Sequence, residues 1–243
     1  MRLELRQTAK VPKLDPDLTQ RLAGDYDSVV SYLSANSGLP GPRSNLELLY
    51  AAAELLPTTH AARLRAELEE YLRCCGVISL GREFFDPSAN AEEVIVQLTA
   101  FAADDSWRVR ESVAMAAQRI GDHDFEALAG LVRRWLVQPR PYVARAAVAA
   151  ICEPRLIRRP HAAAIAMDAC ATATTYLLSL PAEQRKSAEA RTLRQSLGYC
   201  WSVAVAADPA SGLPIFTALY GTDVDLAWII ETNRSKARLA KLL

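Results

Sequence analysis

The feature that most constrains this chain is an internal echo. Residues 104–122 read DDSWRVRESVAMAAQRIGD, and residues 141–157 read PYVARAAVAAICEPRLI. Shifted by 35 positions, Tyr142 falls on Trp107, Arg145 on Arg110, Val148 on Val113 and Ala150 on Met115. The intervening HDFEALAGLVRRWLVQP supplies a second amphipathic segment between the two. A helix, a turn and a partner helix recurring at such an interval cannot bury its apolar face alone. Stacking of successive units buries it, which is the logic of a helical solenoid.

The rest of the chain is compatible with that reading. Ala, Leu, Arg and Glu dominate and favour helix. Alternating runs of β-branched and aromatic residues are lacking, so no strand is predicted. Breakers at Gly24, 38–42, Pro57, Gly76, Pro87, Gly121, Pro139, Pro141, Pro154, Pro160, Pro181, Pro209, Pro214 and Gly221 leave helix-length segments between them. These predict ten to twelve helices joined by short turns. Ser44 with Glu47 has the spacing of a capping box. Asp122 or Asp124, and Asp223 or Asp225, are expected to cap the helices that follow them. HAAAIAMDACATATTYLLSL at 161–180 and GYCWSVAVAA at 198–207 show little amphipathicity and read as largely buried helices, with Trp201 in the core.

On a helical wheel of about 100° per residue, Val109, Val113, Ala116 and Ile120 share one side. Trp107, Glu111, Ala114 and Gln118 fall opposite, where the small Ala114 leaves space. Trp107 is thus either a surface anchor or a filler of the gap between neighbouring units, and the pattern leaves both open.

Charge is balanced overall, with 28 basic and 28 acidic residues, but unevenly placed. Residues 1–132 hold 13 Lys/Arg and 20 Asp/Glu, a net of −7; residues 133–243 hold 15 and 8, a net of +7. Between 133 and 159, Arg133, Arg134, Arg140, Arg145, Arg155, Arg158 and Arg159 face a single acid, Glu153. Such a block steers an acidic partner, drives head-to-tail self-association, or simply supplies solvated faces and interhelical pairs.

Catalytic motifs are not found. His60, His123 and His161 lack metal-ligand spacing, and the five cysteines form no CxxC pair, so neither metal nor cofactor is expected. No glycine-rich phosphate loop or nucleophile elbow occurs. The N-terminus carries no apolar leader and no stretch is long enough to span a bilayer. With unpaired thiols, this predicts a cytoplasmic protein.

Segment 104–157 resembles HEAT-type repeats, in which an Asp turn precedes a helix reading roughly x-V-R-x-x-A-x-x-A-L. Asp105, Val109, Arg110, Val113, Ala114 and Ala117 carry the match. SGLPGPRSNLELL at 37–49, CCGVISLGREF at 74–84 and LGYCWSVAVAADP at 197–209 are similar to a group of uncharacterised bacterial HEAT-repeat proteins. The resemblance implies an all-α, right-handed α-α superhelix over 1–243. Residues 1–57 would cap it, 58–157 would form the repeats, and 158–243 would hold the C-terminal helices and cap. It further implies a non-enzymatic scaffold engaging a macromolecule, foremost a protein, on its concave face. The contacts would be Trp107, Arg108, Glu111, Gln118, Tyr142 and Arg145. The alternative is a DNA-binding protein related to the HEAT-like alkylpurine DNA glycosylases. There Trp107 and Tyr142 would offer aromatic contact and Glu111 or Asp105 the carboxylate. Arg108, Arg110, Arg140, Arg145, Arg155, Arg158 and Arg159 would be the phosphate contacts.

Overall fold

A computed structural model describes residues 16–137 and 139–243. Most of the N-terminal stretch read as lacking a leader therefore lies outside the described residues. Among the described residues there are sixteen helices and no strand. The chain divides into two compact units, residues 1–116 and 117–243. The first holds α1 (Pro16–Leu22), α2 (Tyr26–Ala35), α3 (Leu46–Leu55), α4 (Thr58–Leu64), α5 (Glu70–Ile78), α6 (Leu80–Glu83) and α7 (Ala91–Phe101). Helix α8 (Trp107–His123) runs through the division. The second holds α9 (Phe125–Val137), α10 (Pro141–Ile151), α11 (Pro160–Ser179), α12 (Ala182–Arg185), α13 (Ala188–Ala207), α14 (Pro209–Thr217), α15 (Val224–Arg234) and α16 (Ala237–Ala240). The all-α class expected from the sequence is the observed one.

Punctuation explains most boundaries. Pro141, Pro160 and Pro209 each open a helix at its first position, where the missing N–H would have had no helical partner. Asp124 and Asp223 cap as expected. Asp124 Oδ1 accepts from the Glu126 and Ala127 N–H groups, and Asp223 Oδ1 from those of Asp225 and Leu226. At α3 the cap is Asn45 rather than Ser44: its Oδ1 accepts from Leu48 N at 3.1 Å, and its own N–H is held by the Ser37 carbonyl. Two glycines expected to break helices lie inside them. A Cβ on Gly76 would stand 2.7 Å from both Ala61 O and Arg65 N, so this glycine lets α5 lie directly on α4. On Gly121 a Cβ would meet Leu128 Cδ2 at 2.5 Å, so this glycine admits the Leu128 side chain while α8 continues past it to His123.

In the first unit α5 is the central element, packed by α2, α3 and α4. Tyr71, Leu72, Cys74, Cys75, Val77 and Ile78 are all buried. In the second unit that place belongs to α13, against α10, α11, α14 and α15. Trp201 is fully buried there, as expected, and its Nε1 donates to Thr174 Oγ1 at 3.0 Å. Helix α11 departs from expectation: nine of its 20 residues are buried, and His161, Ala164, Asp168, Thr172 and Thr175 are exposed. Ala and Thr on both faces hide the division from a hydropathy pattern.

The repeat shows in where side chains reach. Within the first unit, Ser34 bonds Glu69, His60 the Gly24 carbonyl, Ser106 Glu70, and Arg73 Asp104. Within the second, Gln118 reaches the Ala149 carbonyl, Arg155 Asp122, His161 Glu126 and Asn233 the Leu197 carbonyl. All of these span 31 to 36 residues. A spacing of this size is what stacking of successive helix pairs produces.

Candidate functional site: the Trp107 surface

The turn before α8 is built from its own polar side chains. Asp104 Oδ1 accepts from Ser106 N at 2.8 Å. Ser106 Oγ accepts from Arg108 N at 3.2 Å and Val109 N at 3.3 Å, capping the helix. Arg110 folds back so that Nη1 donates to the carbonyls of Asp104 and Asp105. Arg73 of α5 pairs with Asp104. The turn is thus held by its own side chains and by Arg73.

Upon this frame stands Trp107, 59% exposed. The Arg108 guanidinium lies 4.6 Å from its ring centroid. That guanidinium is in turn fixed by Glu70, whose Oε2 accepts from Nη1 at 2.8 Å while Oε1 takes the Ser106 hydroxyl. Sequence reasoning missed Glu70. Its position 36 residues before Ser106, one repeat back, was the available signal. Trp107, Arg108, Ser106 and Glu70 form one connected cluster, with Glu111 half-buried one turn on.

The wheel reading was right about the main stripe. Val109, Val113, Ala116 and Ile120 are fully buried. It was wrong about Ala114, which is also fully buried. Ser112 to Ala117 are buried without interruption, because a helix inside a stack is covered by more than one neighbour.

In the second unit, Gln118 Nε2 donates to the Ala149 carbonyl at 3.1 Å, so this side chain links α8 to α10. Tyr142 and Arg145 are half-buried on the first turns of α10. Arg140, Arg158 and Arg159 are exposed. Arg155 is engaged: Nε and Nη2 each lie 2.9 Å from an Asp122 oxygen, and Nη1 lies 3.0 Å from Glu153. Three of the expected phosphate contacts, Arg108, Arg110 and Arg155, are therefore engaged within the protein: with Glu70, with the turn before α8, and between the turn after α10 and the end of α8.

All five thiols are buried and unpaired. Burial pushes Cys74 up to about 11 and Cys75 well above its ordinary value, so neither is a nucleophile at neutral pH. Among the described residues no cluster of His, Cys, Asp and Glu has metal-binding geometry. No helix among them is long and apolar enough to cross a membrane.

No protein-family model matches the chain, and no curated protein does. Among solved structures it is similar to a designed armadillo repeat protein in complex with the peptide (KR)4. The identity is 16%, with 91% of this chain and 98% of that chain covered and a TM-score of 0.39. The class of this protein rests on its own helices: it is an all-α protein among the described residues.

Proposed function

We propose that this chain is a helical-repeat binding module that engages a protein partner through the face of α8 bearing Trp107. One observation carries the reading. A large aromatic side chain is exposed, with an arginine guanidinium over its ring that is itself paired with Glu70. Exposed, preorganised Trp and Arg side chains are the residues that dominate protein interfaces, since little side-chain entropy remains to be lost on binding. Glu111, one turn along the same helix, would extend the contact. The assignment to HEAT-type units and a concave binding surface belong to this same reading, and both rest on the motif at 104–157.

The alternative, DNA binding of the glycosylase type, finds support in Trp107 with Glu111 one turn away and in the exposed Arg140, Arg158 and Arg159. Fluorescence anisotropy with short duplex and single-stranded DNA at low and moderate salt separates the two. The protein-binding reading expects no titratable signal. Binding with a clear salt slope, abolished by Arg140→Glu with Arg145→Glu, would replace it with the DNA reading.

A further inference from the structure

A second surface, wholly within residues 117–243, has a different chemistry. Helix α12, the first turns of α13 and the start of α15 enclose an open cleft of about 590 Å³. Arg185, Lys186, Arg191 and Arg194 line it, against one lining acid, Asp225, with Val224 beside them.

The two inner arginines are fixed in place. Asp225 is buried and accepts from Arg194 at 2.7 Å and from Arg185 at 3.2 Å. Asp223 accepts from Arg185 through Oδ2 while Oδ1 caps α15. Each acid is engaged by an arginine, and the Nε–H of Arg185 and that of Arg194 are buried without an acceptor.

The two outer cations are less constrained. Lys186 meets only Glu183, 2.6 Å away and three residues earlier, in a pair more than three-fifths exposed on both sides. Arg191 is exposed, and no described side chain pairs with it. The uncompensated charge at the mouth is therefore positive. Beside it Val224 is 78% exposed, an apolar side chain on the rim of a cationic cleft.

No aromatic side chain lines the cleft. Trp228 has the Arg194 guanidinium 4.6 Å from its centroid, and its ring lies so close to α13 that a Cβ on Gly198 would be 2.7 Å from Cζ3. The Tyr199 ring, outside the lining, has the Arg238 guanidinium 4.6 Å from its centroid. Single-stranded nucleic acid relies on free stacking platforms. A carboxylate-bearing chain with an apolar side chain needs none.

We propose that this cleft is a docking site for an acidic peptide segment of a partner protein, in which carboxylates meet Lys186 and Arg191 and a neighbouring apolar side chain covers Val224. The site is separate from the Trp107 surface and does not depend on it.

The test uses the full chain and a fluorescein-labelled peptide of repeated Glu-Glu-Leu, read by anisotropy at low and moderate salt. The same peptide with Gln for Glu, and a labelled oligothymidylate, are the controls. Saturable, salt-sensitive binding of the Glu peptide is expected, weakened at least about tenfold by Lys186→Glu with Arg191→Glu. Val224→Asp should weaken it as well, and Trp107→Ala should not. All four positions are exposed, so unchanged thermal melting is the folding control. Equal binding of the Gln peptide, or full affinity in the charge-reversed variant, would overturn the proposal. So would tighter binding of the oligothymidylate that is lost in that same variant.

Discussion

Asn233 tests whether the repeats are held together as the structure indicates. It is fully buried on α15. Its Oδ1 accepts from Ser202 N at 2.8 Å, and its Nδ2 donates to Leu197 O at 2.9 Å and Ile229 O at 2.8 Å. The side chain thus inserts into the backbone ladder of α13 beside Gly198, where Trp228 already lies close. Asn233→Ala removes three hydrogen bonds, each worth about 1 kcal/mol net, and strands the buried partners, which costs more than the loss of the bonds alone. The expected destabilisation is about 3–5 kcal/mol. For a chain of this size, about 2–4 °C of melting temperature accompanies each kcal/mol. Thermal and urea unfolding followed by circular dichroism should therefore show a drop of about 6–20 °C. Asn233→Asp should be no better, since a carboxylate accepts from Ser202 but cannot donate to the two carbonyls. A loss below about 1 kcal/mol would refute the view that this residue stitches α13 to α15.

Three further outcomes follow from burial and charge. Trp201→Ala should cost about 3–5 kcal/mol, while Trp107→Ala should leave helicity and melting nearly unchanged; comparable losses in melts of the two would remove the distinction between core and surface tryptophan. The five thiols should resist alkylation at pH 8 in the native protein and react in denaturant, counted by intact mass, because burial keeps Cys74, Cys75 and Cys170 protonated. Burial opposes ionisation of Asp223, yet the Arg185 guanidinium and the N–H groups it caps hold its pKa below the ordinary carboxylate value. Its contribution to stability is thus complete above about pH 4 and lost as pH falls through the lowered value, so the difference between wild type and Asp223→Asn in urea should shrink on acidification.

The repeat was legible because it leaves a period. The echo between 107–115 and 142–150 marks two helices, α8 and α10, that start in the same phase, and prolines marked where several helices begin. What stayed hidden lies between repeats. Glu70 fixes Arg108 across 38 residues, and Asn233 reaches Leu197 across 36. Neither belongs to a local motif, and both were unremarkable polar residues on a helix. Gly76 and Gly121 read as breakers because a sequence does not say whether a glycine ends a helix or admits a neighbour. Ala114 was misplaced for a related reason: alanine fits an exposed face and a packed one equally well, and only the second layer of helices decides. The cleft at Arg185 and Arg194 draws its acids from α15, about 30 to 40 residues further on, so its charge balance appears only when the helices are stacked.

The central claim is that an exposed Trp107 anchors a protein partner. The direct measurement is affinity capture with immobilised wild-type protein and Trp107→Ala side by side, with nuclease present and retained proteins quantified by mass spectrometry. The account predicts a partner held by the wild type, lost with Trp107→Ala, and retained when the Arg140 and Arg158 charges are reversed. Identical sets on both surfaces, or a retained set that vanishes with nuclease treatment, would contradict it.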